Sequence, residues 1–482
     1  DVGGITKPNL SKAGKAMLYY DILEKQKDKL TFLGKSDKNI ELIDTQITEL
    51  KKHQVSVNKL KEVIDIEKED VYLQKKLEDI YSIYKEYEQA LYGKYIEEND
   101  KLDILASQLK KTTEYNNVIF YIDEFDGFTK QEYSVIEELL KIADEINVTI
   151  TTDDLDMTKS IYEDLFYSNK QVADKLLFLA RSNNIQCEKT LFLDNTYRFK
   201  NDELKHLEEN INKIPYSQYN KEIENIELYL AKNPYLEIEN IAKQIIKLIR
   251  NEKYRYKDIV IISKQLQVYG SLIKAIFGIY NIPVFIDEKK QLNQNLFAKY
   301  ILAILEIYSS NWSYESVIGY LKTGFIDADE SQIYEFENTT RKWGIKGQKW
   351  YKDEWNFFSE DEEDEEEKEK SIRVNIIRNN YIKPLLKLKE KFNNSKTVAS
   401  MNTALYEFLV ENNIIEKLKE KQKVLEEQGK IELAKEQESA WDAIIKTIEE
   451  MNELFGENKT TFAYYKELLK VGLNKNPLGR IP

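Results

Sequence analysis

The fold is decided by the stretch Val118-Ile-Phe-Tyr-Ile-Asp-Glu-Phe-Asp-Gly-Phe-Thr129. Its first five residues form an apolar run with polar residues on both sides, which predicts a strand buried on both faces of a parallel sheet. Asp123 and Glu124 follow directly, and Thr129 is a predicted helix cap with Glu132 as its capping-box partner. This order is that of a Walker B segment, in which the aspartate holds Mg²⁺ and the glutamate polarises the attacking water. A plain strand-to-helix corner is the alternative.

A Walker B segment works together with a P-loop of the form G-x-x-x-x-G-K-[ST]. The nearest candidate is Gly14-Lys15, but Asn9 stands at the first glycine position and Ala16 replaces the Ser or Thr that would bind Mg²⁺. The segment that begins at Ser11 also has the pattern of an amphipathic helix. We therefore reject it as a phosphate-binding loop, and the chain carries the second half of a nucleotide site without the first.

Composition limits the possible classes of site. A chain of 482 residues exceeds one ordinary core and predicts about three or four domains. One cysteine, Cys187, and two distant histidines, His53 and His206, argue against disulfides, cysteine-based metal sites and histidine catalysis. With no membrane-spanning stretch or signal peptide visible, we expect a cytoplasmic protein without a membrane partner. The first residue, Asp1, indicates a chain cut from a larger one or processed.

The net charge of −14 is unfavourable for a nucleic-acid-binding protein, but it is unevenly distributed. The block Glu360–Glu367 alone carries eight negative charges, which is typical of a solvated loop. In contrast, Lys342–Lys352 (the basic loop) interleaves four lysines with Trp343, Trp350 and Tyr351. This composition is typical of a surface for single-stranded nucleic acid, although the tryptophans could instead anchor the loop to its domain. The predicted DNA-binding residues here are Trp343, Lys346, Lys349 and Trp350.

Periodicity predicts helices at both ends of the chain and strand–helix alternation between them, which indicates a parallel α/β sheet. A turn of solvated carboxylates is expected at Asp153–Asp156. The predicted strands are 118–122, 148–152, 188–193, 226–230, 258–263 and 282–286. The predicted helices are 15–29, 39–52, 60–66, 71–95, 100–110, 130–142, 170–184, 238–251 and 269–280, followed by a helical region from 295 to 470 and an irregular end at 471–482.

The order helical block, α/β, α/β, helical block is that of superfamily 1 helicases of the UvrD type. The predicted fold class is therefore α/β with large helical insertions, built on two RecA-like domains and mostly α by content. The predicted domains are a helical 1B-like domain (1–112), the remainder of a 1A-like domain (113–222), the start of a 2A-like domain (223–290), a helical 2B-like domain with an acidic loop at 360–367 (291–470), and a return toward the 2A-like domain (471–482).

Short segments spread in order along the chain resemble the AddB family, the second subunits of bacterial AddAB helicase–nucleases. Each is brief, but their order and spacing make the resemblance specific. The segments are Gly4-Ile-Thr-Lys-Pro8, Ala13-Gly-Lys-Ala-Met-Leu18, Ile122-Asp-Glu-Phe-Asp-Gly-Phe-Thr-Lys-Gln-Glu-Tyr133, Tyr254-Arg-Tyr-Lys-Asp-Ile259, Ile282-Pro-Val-Phe-Ile-Asp287, Asn311-Trp-Ser-Tyr-Glu315, Leu321-Lys-Thr-Gly324 and Gly344-Ile-Lys-Gly347.

The resemblance implies a role in DNA double-strand break repair by recombination. The partner AddA is the ATP-driven motor, and AddB scans the 3′-terminated strand for the Chi sequence. The resemblance implies that the family's P-loop, where a member has one, lies before Asp1, and that its nuclease domain, with a four-cysteine 4Fe-4S cluster, lies mostly beyond Pro482. We therefore expect no cofactor in this segment, whereas the complete complex implies ATP, Mg²⁺ and the cluster. The implied partners are an AddA-like motor protein and single- and double-stranded DNA.

The resemblance also changes the interpretation of the Walker-B-like pair. The family has Asp-Gly-Phe where this chain has Asp-Glu-Phe, so Asp123 is read as a remnant of fold ancestry and Glu124 leaves a nucleotide role open. Phe125 matches the phenylalanine that the family places beside DNA in its Chi-reading channel, and Phe128 is assigned with it. A core-filling role for Phe125 is the alternative. We expect neither ATPase nor nuclease activity from this segment alone. The alternative functions are an active ATP-dependent helicase and a structural scaffold for the motor subunit.

Overall fold

The structure is a computed structural model, and it describes residues 7–33, 39–66, 70–158, 164–193, 197–213, 215–286, 290–352, 355, 365–475 and 477–478. Helices make up 65% of it, which confirms the prediction of a mostly α chain. None of the described helices is long and apolar enough to cross a bilayer. Residues 1–6 and 479–482 lie outside the described residues. The predicted acidic loop also lies outside them, except for Glu365–Glu367, which begin a helix.

The helices follow one another along the chain with few strands between them. Their bounds are α1 (Lys12–Gln26), α2 (Asn39–Lys52), α3 (Val57–Ile66), α4 (Val71–Leu91), α5 (Lys101–Leu109), α6 (Lys130–Ile142), α7 (Tyr167–Ser182), α8 (Asp202–Asn210), α9 (Pro234–Asn251), α10 (Leu266–Ile279), α11 (Leu296–Ser309), α12 (Tyr314–Leu321), α13 (Glu330–Lys342), α14 (Glu365–Ile377), α15 (Pro384–Asn394), α16 (Val398–Glu411), α17 (Ile414–Glu427), α18 (Ile431–Phe455) and α19 (Phe462–Lys475). The strands are β1 (Ile119–Ile122), β2 (Glu145–Val148), β3 (Lys290–Gln291) and β4 (Pro477–Leu478).

The chain divides into two compact units. The strand unit comprises Lys52–Gln54 and Lys101–Glu288, and the helical unit comprises Ile5–Lys51, Val55–Asp100 and Lys289–Pro482. Helices α1–α4 of the first helical block and α11–α19 of the second therefore belong to one unit and share its core, whereas α5 belongs to the strand unit. The assignment of particular segments to RecA-like, 1B-like and 2B-like domains stays a prediction.

Helix α1 lies at the centre of the helical unit, where it packs against α4, α18 and α19. Most of its residues are buried, since small and apolar side chains occur on all of its faces. The approach to α19 depends on Gly472, because a Cβ there would lie 2.8 Å from Thr447 and 3.1 Å from the Met17 sulfur. The residues from Ser11 onward thus form a packed helix, as the sequence predicted.

In the strand unit, β1 and β2 pair in parallel, with Ile119 opposite Glu145 and Ile122 opposite Val148. The predicted second strand at 148–152 is therefore placed too late in the chain. Because β1 has only four residues, the ladder stops where β1 ends. The Thr149 N–H still donates to the carbonyl of Ile122 at 3.0 Å, and the chain then leaves the sheet.

The prediction that β1 is buried on both faces is wrong for the described residues. Ile119 and Tyr121 are 46% and 76% exposed, whereas Phe120 and Ile122 are half-buried. Successive side chains of a strand point to opposite faces, so the exposed pair marks one open face. The two strands form the whole of this described sheet, and one side of it is uncovered.

The other predicted strands of this unit also do not form in the described residues. The runs 188–193, 226–230, 258–263 and 282–286 have no strand pairing, and Leu228 is 97% exposed. Apolar β-branched residues favour a strand only when a neighbouring chain lies within pairing distance. Ile282 and Ile286 nevertheless pack against α9 and α10, where they complete a small core. The RecA-like layout is thus not established by these strands.

The end of the chain also differs from the prediction of an irregular segment at 471–482. Helix α19 continues to Lys475, because Leu468, Leu469 and Leu473 keep helical spacing and are fully buried. Beyond it, β4 pairs antiparallel with β3. The prediction of an irregular segment from residue 471 therefore placed the end of the helix about one turn too early.

Candidate nucleic-acid interface

The corner segment, residues 123–129, joins β1 to α6. Thr129 and Glu132 form the predicted capping box, in which the Thr129 N–H donates to the Glu132 carboxylate at 2.6 Å and the Glu132 N–H donates to the Thr129 hydroxyl at 3.3 Å. These bonds satisfy backbone N–H groups that have no acceptor within the helix at its N-terminus. The capping box therefore fixes the direction of the loop where it enters α6. The prediction of this cap is confirmed.

A threonine of the neighbouring strand holds the near end of the corner. The Thr149 hydroxyl donates to the Asp123 carboxylate and accepts from the Glu124 N–H at 3.2 Å. Glu124 has a left-handed φ of +58°, which costs a residue with a Cβ roughly 1–2 kcal/mol. Its backbone bond to Thr149 is one interaction that offsets this strain. The role of Thr149 has no signal in the sequence, where this residue is only one of several β-branched residues of a predicted strand.

The exposed carboxylates of Asp123 and Glu124 lie side by side at this corner. Among the described residues, no group of three or more His, Cys, Asp or Glu side chains is arranged to hold a metal ion. One oxygen of Asp123 is already bonded to Thr149. The predicted nucleotide or Mg²⁺ role of this pair therefore stays a prediction, and no catalytic step is assigned to it.

Phe125 lies on the outside of a short aromatic stack. Its ring is 45% exposed and stacks on Phe128, with centroids 5.2 Å apart and planes at 25°. Phe128 in turn meets the edge of Tyr133 at 5.5 Å, and burial raises the pKa of the Tyr133 phenol. Exposure decreases inward along the stack, since Phe128 and Tyr133 are half-buried. Phe125 is thus not a core residue, and its ring is accessible to a ligand.

The loop after β2 is fixed by a buried lysine that the sequence did not reveal. The Lys170 ammonium lies 2.8, 2.6 and 2.8 Å from carboxylate oxygens of Asp153, Asp154 and Asp164. Burial by itself would lower the pKa of Lys170, but these carboxylates raise it above its ordinary value. Asp153–Asp156 was predicted to be a solvated turn, and Asp153 and Asp154 do keep nearly half of their side-chain surface in solvent. What the prediction lacked is their pairing with Lys170, which α7 brings against them.

In the helical unit, Gly14-Lys15 is already occupied by carboxylates. Glu450 accepts from the N–H of Ser11 at 2.9 Å and from its hydroxyl, so a carboxylate occupies the start of α1. A Cβ on Gly14 would lie 2.4 Å from that carboxylate. The Lys15 ammonium is buried beside Glu97 and 2.7 Å from an oxygen of Asp44. These contacts agree with the rejection of this segment as a phosphate-binding loop.

The basic loop of the helical unit exposes its charges and buries a ring. Lys346 and Lys349 are exposed, as a DNA-binding role requires, and Trp343 is half-buried. Trp350 is fully buried, and its Nε1 donates to the Trp312 carbonyl at 3.1 Å. A base cannot stack on a ring in this position, so the predicted DNA contact by Trp350 is wrong in this structure. The alternative of an anchored loop holds for this residue.

Comparison with known proteins gives consistent matches. The family model described as ADDB, N-terminal, matches residues 1–208. Proteins named as the second subunit of an ATP-dependent helicase/deoxyribonuclease match the whole chain. The one from Caldanaerobacter subterraneus subsp. tengcongensis is 37% identical over 495 residues, which cover 42% of its length. Those from Thermoanaerobacter sp. strain X514 and Clostridium acetobutylicum are 37% and 35% identical, each covered over 43% of its length.

The chain thus spans less than half the length of the curated relatives it matches. The resemblance inferred from short segments is confirmed by identities that extend over all of this chain. The chain belongs to the AddB family, the second subunits of ATP-dependent helicase/deoxyribonucleases.

Proposed function

We propose that this chain is the helicase-like body of the second subunit of a helicase–nuclease that processes double-strand DNA breaks for recombination. In this proposal it binds single-stranded DNA and scans it for Chi, and it does not drive translocation. The family supports the setting, since the relatives carry helicase and deoxyribonuclease in their names. The observation that carries the scanning role is the exposed ring of Phe125 on its aromatic stack.

The position of Phe125 suits a base contact. It follows the carboxyl end of β1, and ligands of α/β sheets commonly bind at that edge. The loop is held at both ends, by Thr149 and by the capping box, so the ring is pre-oriented. Stacking of a base on such a ring contributes about 1–3 kcal/mol. The half-buried Phe128 supports the ring from behind.

The contacts of Gly14-Lys15 support the view that this segment is not a phosphate-binding loop. The start of α1 is held by Glu450, and Lys15 is paired with the buried Glu97 and with Asp44, so neither presents a cradle for phosphates. In this proposal, ATP, Mg²⁺ and the motor function belong to an AddA-like partner. The 4Fe-4S cluster and the nuclease function belong to a nuclease domain of the complete second subunit.

The test is Phe125→Ala in the two-subunit complex, with DNA unwinding and the response to Chi measured in parallel. We expect unwinding to stay near the parent value and the Chi response to weaken by about 5- to 150-fold, since one stacking contact is lost. Phe178→Ala is the matched control, because Phe178 is an exposed phenylalanine of α7 in the same unit. A normal Chi response in Phe125→Ala would reject the scanning role of this ring. Absence of DNA affinity of this chain by itself at low salt would favour the scaffold alternative.

A further inference from the structure

The basic loop is held rigidly against the core of the helical unit. At its first turn, the Gly347 N–H donates to the Trp312 carbonyl at 3.0 Å, and the same carbonyl accepts from Nε1 of Trp350. The Trp350 ring lies flat against Phe336, with centroids 6.1 Å apart and planes at 17°. The buried tryptophan therefore fixes the short 3₁₀ turn Gly347–Trp350 in one position.

Two further bonds hold the backbone of this loop directly. Nε1 of Trp355 donates to the Lys349 carbonyl at 2.9 Å, and Nε of the buried Arg378 donates to the Trp350 carbonyl at 2.9 Å. The Arg378 guanidinium also lies over the Trp355 ring at 4.8 Å. The lysine side chains thus extend from a backbone whose conformation is already set. Binding to such a surface costs little ordering of the backbone.

A second element adds a cation to the same surface. Lys389 of α15 places its ammonium 6.0 Å from the ring centroid of Tyr351 and 6.0 Å from that of Trp312. Tyr351 adjoins Lys352, so α15 and the basic loop meet at this ring. A lysine over an aromatic face is oriented by the negative charge of that face. Lys389 could not be assigned to this surface from the sequence, because it lies 37 residues after Lys352 on another helix.

The basic loop itself carries charge of one sign. Residues 338–352 include five basic residues and no acidic one, in a chain whose net charge is −14. Four lysines of the basic loop and α15 form no ion pair with any residue that the structure describes. They are Lys346, Lys349, Lys352 and Lys389. A stretch of unpaired positive charges of this kind attracts a polyanion.

We infer that Lys346, Lys349, Lys352 and Lys389 form one binding surface for the phosphodiester backbone of single-stranded nucleic acid. The inference rests on the proposed function and extends it to the helical unit. Backbone contacts of this kind position a strand without reading its sequence. That agrees with the burial of Trp350, since the surface presents charges and no fully exposed indole ring. The proposed sequence-reading contact at Phe125 belongs to the strand unit, whereas this surface belongs to the helical unit.

The test is a double variant, Lys349→Gln with Lys389→Gln, in the full 482-residue chain. Its affinity for fluorescein-labelled oligothymidine is measured against salt concentration. Each phosphate contact to a single strand contributes about 0.7 to the slope of log affinity against log salt, so the slope should fall by about 1.4. The gap in affinity between parent and variant then widens about 25-fold for each tenfold decrease in salt.

Two control variants isolate the effect of these ammonium groups. Lys391→Gln removes the same charge from the same helix, but Lys391 is paired with Glu407 and Glu411, so its slope should stay at the parent value. Lys389→Arg keeps the charge and should keep the slope. Thermal unfolding followed by circular dichroism shows whether each variant is folded. An equal loss of slope in Lys391→Gln would overturn the inference, because the effect would then be one of total charge.

The result also separates this inference from the proposed function. An unchanged slope in the double variant, with a weakened Chi response in Phe125→Ala, overturns the inference and leaves the proposed function in place. A reduced slope in the double variant, with a normal Chi response in Phe125→Ala, supports the inference and rejects the proposed scanning role of Phe125. If the double variant keeps its affinity for DNA and instead loses the motor protein, the surface binds protein and the inference is wrong.

Discussion

The corner segment and the basic loop use aromatic residues in opposite ways. At the corner, Phe125 is the outermost ring of a stack and remains 45% exposed. In the basic loop, Trp350 is fully buried and the lysines around it are exposed. In the sequence the two segments look alike, since each combines aromatic residues, charged residues and glycine. The difference teaches that such a mixture can present either a ring or a set of charges, depending on which side chain the core accepts.

The largest expected effect tests the difference in burial between Trp350 and Phe125. Trp350→Ala should lower the free energy of unfolding by about 3–5 kcal/mol, because a buried ring and its bond to the Trp312 carbonyl are lost. Phe125→Ala should cost only about 1 kcal/mol, since half-exposed aromatic area contributes less. Urea unfolding of both variants measures the comparison. A larger loss for Phe125→Ala than for Trp350→Ala would mean that the corner, and not the loop, is the packed region.

The second prediction concerns Lys170, which holds the loop after β2. Lys170→Met should lower the free energy of unfolding by about 3 kcal/mol, because Asp153, Asp154 and Asp164 lose the cation that neutralises them. This is the low end for a buried ion pair, since two of the carboxylates are nearly half-exposed. Lys175→Met, an exposed change on the same helix, should cost less than about 0.5 kcal/mol. Equal losses in the two variants would show that Lys170 has no special role.

The same cluster predicts a pH dependence at both ends of the range. Burial alone would raise the pKa of Asp153, but Lys170 lowers it, so the stability it adds is present above about pH 3.9 and is lost as pH falls through the folded value. The pKa of Lys170 is raised by its three carboxylates, so its stabilisation is complete below about pH 10.4 and is lost as pH rises through the folded value. Unfolding free energies of the parent should therefore fall on both sides of this window. In Lys170→Met the alkaline loss from this cluster should disappear, and its persistence unchanged would assign it to other groups.

The smallest expected effect sharpens the description of the corner. Thr149→Val keeps the shape of the side chain but removes the hydroxyl that bridges Asp123 and the Glu124 N–H. We expect a loss of about 1 kcal/mol in the free energy of unfolding, the usual value of one hydrogen bond. Thr151→Val, an exposed change two residues later, is the control. A Thr149→Val variant as stable as its control would show that the corner is held by the capping box alone.

Local sequence signals predicted a large part of the helical structure. The bounds of α2 and α6 match the predictions residue for residue, and β1 differs from its prediction by one residue. The capping box at Thr129 and the helix from Ser11 onward were likewise predicted. These features depend on residues at most a few positions apart, through side-chain periodicity and hydrogen bonds at helix ends. Family membership could also be inferred from ordered short segments.

The sequence by itself thus determined where helices form, where the corner lies and which segments are rich in charge and aromatic rings. Only the tertiary structure decided which rings are buried, since Trp350 is buried whereas Phe125 is exposed. It likewise decided that Lys170 and Lys389 lie beside residues from distant parts of the sequence. It also decided that the runs at 226–230 and 258–263 remain unpaired in the described chain. The physical reason is that strand pairing, burial and ion pairing each require a partner from a distant part of the chain, whereas a helix bonds within itself.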